Sequence, residues 1–215
     1  MSTLKTITLD DLAQMEKRMR ATFINSLGGF KSLALIGTKS KSGQTNLAVF
    51  NSLFHLGANP AMFGFIVRPD SVDRHTLNNI RETRVFTLNH VTEAIYKKAH
   101  QTSARYPEDI SEFDATELTV CYDGDFHAPF VAESTVRIAA ELTGEVPIEE
   151  NGTIMVIAKY QSIALPENAV SPDGFVDLNA TGTITCAGLD AYYRTELIGR
   201  LSYAKPDKLP EEIRA

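Results

Sequence analysis

Near the N-terminus, Leu9, Leu12, Met15, Met19 and Phe23 recur at steps of three and four, the period of an amphipathic helix. Thr8-Leu9-Asp10-Asp11 ahead of them has the hydroxyl-to-carboxylate spacing of a capping box, and Gly28-Gly29 marks the end of the helix. The period then shortens. Residues 32–37 (SLALIG) are an apolar run, 39–44 (KSKSGQ) carry turn chemistry, and 45–56 (TNLAVFNSLFHL) form a second extended segment, so the pair reads as a hairpin. Gly57-Ala58-Asn59-Pro60 is another turn. Residues 61–67 (AMFGFIV) are apolar on both faces, which predicts a central strand. Residues 71–84, with Leu77 and Ile80 three apart, predict a short helix, and 85–89 (VFTLN) return to extended chain. Thr92-Glu93 then open a helix of about three turns that runs toward Ser103.

Later, Val136, Ile138, Ala140 and Leu142 alternate with Arg137, Ala139, Glu141 and Thr143, the period of a half-buried strand. Asn151-Gly152 predicts a type I′ hairpin turn into a long β-rich run over 153–165. Strands joined by tight turns, with helices at the edges and near the middle, predict a mainly β fold: an antiparallel barrel with flanking helices. Neither a repeat nor a long charge run divides the chain. The expected organisation is therefore an N-terminal helix over 1–30 packed on a single barrel domain over 31–215.

Composition narrows the function classes. The 215 residues carry 21 Lys+Arg against 27 Asp+Glu, and the net charge of −6 argues against a nucleic-acid or acidic-lipid partner. Cys121 and Cys186 fit no metal or disulfide spacing. No apolar run approaches 18 residues and the first eleven residues lack the apolar stretch of a signal peptide, so the expectation is a cytoplasmic protein with no membrane span. Gly37-Thr38-Lys39-Ser40 lacks the glycine spacing of a phosphate loop and reads as a hairpin turn. There is no GxGxxG, GxSxG or HExxH, and the five histidines have no i,i+4 pairing, so no metal site is expected. Tyr192-Tyr193 could cover a planar ligand or sit one in and one out at a surface.

The chemistry concentrates between Thr45 and Asn89. Thr45-Asn46 and Asn51-Ser52 are polar pairs inside an otherwise apolar stretch, and a buried polar group without a partner costs about 1–3 kcal/mol. Such groups need neighbours, water or a polar ligand. The loop and helix beyond the third strand supply Arg68, Asp70, Asp73, Arg74, His75, Thr76, Asn78 and Asn79. Free N–H groups at a helix start, with arginine and hydroxyl donors beside them, are a common way to hold phosphate. The competing reading is that Asp73 caps the helix and Arg74 pairs with an acid.

The succession Asn46-Leu47-Ala48-Val49-Phe50-Asn51, Asn59-Pro60, Arg68, Asp73-Arg74-His75-Thr76-Leu77-Asn78-Asn79-Ile80 and Phe86-Thr87-Leu88-Asn89 resembles the flavin reductase-like family. His100 through Pro107, Ser111-Glu112-Phe113, and Ala128 through Glu133 to Gly144-Glu145-Val146 extend the resemblance over roughly 32–204. It implies an antiparallel split β-barrel, a homodimer and one FMN per subunit where the barrel meets its partner. It further implies Thr45, Asn46 and Ala48 at the polar edge of the isoalloxazine, and Asn51 and Ser52 at the ribityl chain or phosphate. Arg68, Arg74, His75, Thr76 and Asn79 would hold the phosphate, with Thr102 and Ser103 in the same pocket. Hydride would pass from NADH or NADPH to flavin N5, with no catalytic residue assigned.

Three positions depart from the family pattern. Val49 stands where the family often has Pro, and Asn51 where it often has Ser. Glu150-Asn151-Gly152-Thr153 replaces the Gly-Asp-His of NADH-using members. That last departure keeps open a flavin electron-transfer protein reduced by a partner. A split barrel holding haem or pyridoxal phosphate is a third reading, the latter disfavoured because the pocket strands lack a lysine.

Overall fold

The computed structural model describes residues 3–69 and 74–213; Asp70 and Asp73, weighed above as ligand-loop residues, lie outside that range. The N-terminal helical pattern is realised as two helices, α1 (Leu9–Gln14) and α2 (Lys17–Leu27). Thr8 and Asp11 form the expected capping box on α1. The expected single helix breaks because Met15 is extended and the Glu16 carboxylate accepts from the Arg18 and Met19 N–H groups, starting a second helix. Gly29, at φ 74°, takes the left-handed conformation that follows α2.

Strands β1 (Ala34–Lys39), β2 (Thr45–Phe50), β3 (Phe54–Ala58), β4 (Ala61–Val67), β5 (Val85–His90), β8 (Arg137–Ile148) and β9 (Thr153–Ala164) form one antiparallel sheet in the order β2-β1-β5-β8-β9-β4-β3. This is the expected mainly β split barrel. The extended segment expected over 45–56 is in fact two strands at opposite ends of that order, separated by Asn51-Ser52-Leu53. Side chains take over from the ladder there. The Ser52 hydroxyl accepts from the Ile66 N–H at 3.1 Å and donates to the Ile66 carbonyl at 3.0 Å, while Asn51 Nδ2 donates to the Gly188 carbonyl at 3.0 Å.

Helix α3 (His75–Thr83) buries Leu77 and Ile80 completely, as their spacing requires. The helix expected from Thr92 begins only at Tyr96 as α4 (Tyr96–Gln101), since Thr92 bridges to Thr183 and accepts a turn hydrogen bond from Ile95. Helix α5 (Glu112–Thr116) and the short pairs β6 (Val120–Cys121) with β7 (Phe130–Val131) and β10 (Thr185–Ala187) with β11 (Ala191–Tyr193) follow. The Asn151-Gly152 hairpin also differs from expectation. Thr153 pairs with Ile148 across a four-residue loop, Gly152 alone has positive φ and its N–H reaches back to the Ile148 carbonyl at 2.9 Å, so the turn is not type I′.

Two apolar clusters hold these parts. One fills the barrel, where Phe65 packs edge-on against Phe50 and Phe86 at 5.2 and 5.6 Å and α3 inserts Leu77 and Ile80. The other lies outside β1 and β2, where Leu35 and Leu47 meet Ile95, Ala99 and Phe113 from the α4–α5 region. Each fully buried side chain of this size contributes about 1.5–3 kcal/mol. The two clusters fix β2, α3 and α5 around one cleft. Among the described residues no helix is long and apolar enough to cross a membrane.

Candidate functional site

A cavity of about 1260 Å3 opens between β2, the Asn51–Leu53 connector, the end of β4, the start of α3, the chain after α4 and the β10–β11 hairpin. Its volume exceeds that of an ordinary small-molecule pocket. Of the residues singled out from the sequence, Asn46, Ala48, Asn51, Ser52, Arg68, Arg74, His75, Thr76, Thr102 and Ser103 line it. Thr45 and Asn79 do not. The Thr45 hydroxyl bonds to that of Ser111 at 2.8 Å, and Asn79 Nδ2 donates to Thr38 Oγ1 at 3.1 Å, so both serve the scaffold.

The polar pairs in β2 and its connector are satisfied before any ligand arrives. Asn46 Nδ2 donates to Thr38 Oγ1 at 3.2 Å and to Thr76 Oγ1 at 2.9 Å, which ties β1, β2 and the first turn of α3 together. Ser52 is committed to Ile66 and Asn51 to Gly188, as described above. Thr102 donates to the Ala99 carbonyl at 2.8 Å and ends α4, leaving Ser103 exposed beside it. These side chains therefore shape the wall as well as face the cavity.

At one end Arg68, Arg74, His75 and Thr76 converge on the N-terminus of α3. Arg74 occupies the cap position without a side-chain cap hydrogen bond, and its Nε donates to the Pro69 carbonyl at 3.1 Å. First-turn N–H groups and the positive end of the helix dipole thus meet cationic side chains, a donor set that suits phosphate. Beneath them Glu112 is buried, 6 % exposed, and accepts from the Leu47 N–H at 2.9 Å. Burial pushes its carboxyl up from the ordinary value, against the opposing pull of the Leu47 and Glu112 N–H groups and of His75.

The other end is aromatic. Tyr192 packs against Tyr96 at 5.3 Å, and its hydroxyl meets His100 Nδ1 at 2.7 Å. Tyr192 faces the cavity while Tyr193 stands edge-on to Phe30 at 4.9 Å, so the two adjacent tyrosines divide their roles. Burial raises the Tyr192 and Cys186 hydrogens above their ordinary values; Asn51 and Lys31 oppose this for Cys186 without reversing it. Cys186 is a buried residue of the cavity wall.

Glu112 and Lys31 are lining residues that sequence reasoning gave no role, whereas Tyr192 had been weighed as a cover for a planar ligand. Glu112 lay within the quoted Ser111-Glu112-Phe113 stretch, but only the fold brings it under β2. Lys31 lies outside the pocket strands and reaches the rim, its Nζ donating to the Gly188 carbonyl at 3.4 Å.

An open split barrel with a cleft that is cationic at a helix start and aromatic at the far side defines a class of ligand-binding β proteins. Within that class the chain belongs to the flavin reductase-like family, whose domain model matches residues 30–181. It is 47 % identical to a split-barrel protein of Shewanella frigidimarina assigned as a flavin reductase, covering 93 % of this chain and 100 % of that one with a TM-score of 0.90. The flavoredoxin of Desulfovibrio vulgaris shares the fold at 20 % identity, with 83 % and 91 % coverage and a TM-score of 0.67. An uncharacterised protein of Aquifex aeolicus is 26 % identical over 143 residues, 64 % of this chain and 73 % of that protein. Membership of this family makes the protein a flavin-related oxidoreductase.

Proposed function

We propose that the protein is an FMN-binding oxidoreductase, a homodimer that accepts hydride from NADH or NADPH on the flavin and passes the electrons on. The observation that carries this reading is convergence: Asn46 of β2, the Asn51-Ser52 pair of its connector and the arginine-bearing start of α3 line one cavity. Packed aliphatic side chains between them, or placement on opposite faces, would have removed its basis.

In this reading Arg68, Arg74, His75, Thr76 and the first N–H groups of α3 hold the phosphate. Asn46 positions Thr76 and keeps α3 against β2. The backbone of β2 serves the polar edge of the ring. Leu47 donates to Glu112 on the side away from β1, so by strand alternation Val49 turns its backbone groups to the same outer edge of this terminal strand, while Ala48 lines the cavity between them. Tyr192 and its neighbours limit water at the far side. When bound, the flavin supplies the hydride chemistry, and the protein's part is binding, orientation and electrostatics.

A second reading, a flavin electron carrier reduced by a protein partner, draws on the late hairpin, where Glu150-Asn151-Gly152-Thr153 offers no imidazole to a nicotinamide. Purified protein is expected to be yellow, or to gain melting temperature with added FMN; neither result would leave the flavin reading without support. Anaerobic mixing with NADH and NADPH then separates the alternatives, since rapid bleaching of the flavin belongs to the reductase and stable colour to the carrier.

A further inference from the structure

Beside the large cleft lies a second cavity of about 470 Å3, inside the size range of small-molecule pockets. The two share residues 30–33 and Leu53, but His90, Tyr160 and Thr183 line only the smaller one. Its floor is one end of the barrel core, where Ala34, Phe63, Leu88 and Ile138 are buried. Phe63 and Tyr160 meet there at 4.9 Å, so part of the wall is aromatic. Residues 178–185 close it from above, pinned to the barrel where the Ile184 N–H donates to the Val91 carbonyl at 3.1 Å. A packing void would be apolar throughout. This one is not.

A chain of hydroxyls fixes what its polar groups offer. Thr181 Oγ1 donates to the Leu178 carbonyl at 2.8 Å. That uses the single hydroxyl proton of Thr181, so in the 2.7 Å contact between the two threonines Thr183 is the donor. Thr183 then has no proton left for His90, and Nδ1, 3.1 Å away, carries the hydrogen. Burial lowers the imidazole to about 4, so at neutral pH the ring is uncharged and its Nε2 is a bare acceptor. Burial also raises the Tyr160 hydroxyl above its ordinary value, which keeps its proton in place. Neither Nε2 nor that hydroxyl has a partner among the described residues, and neither is sealed in, since Ser134 Oγ alone is buried without one among those residues. Both are open to the cavity they line.

We propose that this cavity binds a small neutral molecule with a single or fused aromatic ring, which donates one N–H or O–H hydrogen to His90 Nε2. Phe63 and Tyr160 favour the ring, because they offer edges and faces to a planar π-system. The aliphatic floor favours neutrality, since an unpaired ion costs far more to bury than a neutral donor. The basic side chains of the lining leave this unchanged: Lys31 turns its Nζ to the Gly188 carbonyl at 3.4 Å, and His55 is exposed. The unmet imidazole acceptor favours the donor, because a polar group buried without a partner costs about 1–3 kcal/mol. This site stands whether or not the larger cleft takes a flavin.

Indole and benzofuran share a shape and differ in the N–H, so they test the assignment directly. Calorimetric titration of the full chain should give saturable binding of indole, with benzofuran about 10-fold weaker. His90→Asn keeps a polar group at the Nδ1 position and removes the atom that meets the ligand. At unchanged circular dichroism it should bring indole down to the benzofuran affinity and leave benzofuran as it was. Proton–nitrogen correlation spectra of the imidazoles need no variant. They should show His90 in the Nδ1–H form, with its Nε2 resonance moving upfield as indole is added. Failure of indole to bind, equal affinity for the two molecules, a preference that survives His90→Asn, or an Nε2–H form in the free protein would each overturn the proposal.

Discussion

Asn46 illustrates what a sequence can and cannot say about a single side chain. Its place in an apolar strand required a partner, and the partners are Thr38 and Thr76, so the residue first expected to meet a ligand directly acts largely by fixing α3. Thr45 and Asn79 were legible as polar and satisfied but not as scaffold, because their partners Ser111 and Thr38 are distant in sequence or on another element. Arg74 is the residue whose reading is sharpest. Charge-assisted bonds to phosphate contribute about 1.5–3 kcal/mol, so Arg74→Ala should weaken FMN binding about 10- to 100-fold and leave riboflavin nearly unchanged. Parallel fluorescence titrations with the two flavins check this, and an equal loss for both would place the phosphate elsewhere.

Among the elements, the strand patterns over 61–67, 85–89 and 153–165 and the Leu77–Ile80 spacing translated directly into β4, β5, β9 and α3. Periodicity is local, and so were these successes. The break at Asn51–Leu53 was hidden because an apolar run looks the same whether its ladder partner continues or changes, and here the chain leaves β1 for β4. The split of the N-terminal helix was hidden for a similar reason, since Glu16 suits both a helix interior and a cap. Gly37, dismissed as part of a phosphate loop, matters to packing in β1. A Cβ there would lie 2.3 Å from the Pro129 carbonyl oxygen and 2.6 Å from Thr87 Oγ1, against the buried bond between those two groups. Gly37→Ala should therefore cost about 2–3 kcal/mol, seen as a lower urea midpoint at unchanged slope.

For the molecule as a whole, acid should act through His90. Burial lowers its imidazole from the ordinary 6.5 to about 4, with Thr183 Oγ1 3.1 Å from Nδ1. Between those values the unfolded chain binds the proton and the folded chain does not, so stability falls as pH drops through that window. The loss is on the order of 2–3 kcal/mol, and His90→Asn should flatten this part of the stability profile in urea titrations between pH 7 and 4. Glu112 works with opposite sign: its raised carboxyl value gives a contribution that is present in acid and fades as pH rises through the folded-state value.

The three residues Asn51, Ser52 and Leu53 lead from the first strand of the sheet order to the last, so the two margins of the rolled wall are fastened to each other by covalent chain. All three also border the cleft. A guest seated there would press on the fastening itself, so filling the cleft and tightening the cylinder become one mechanical event.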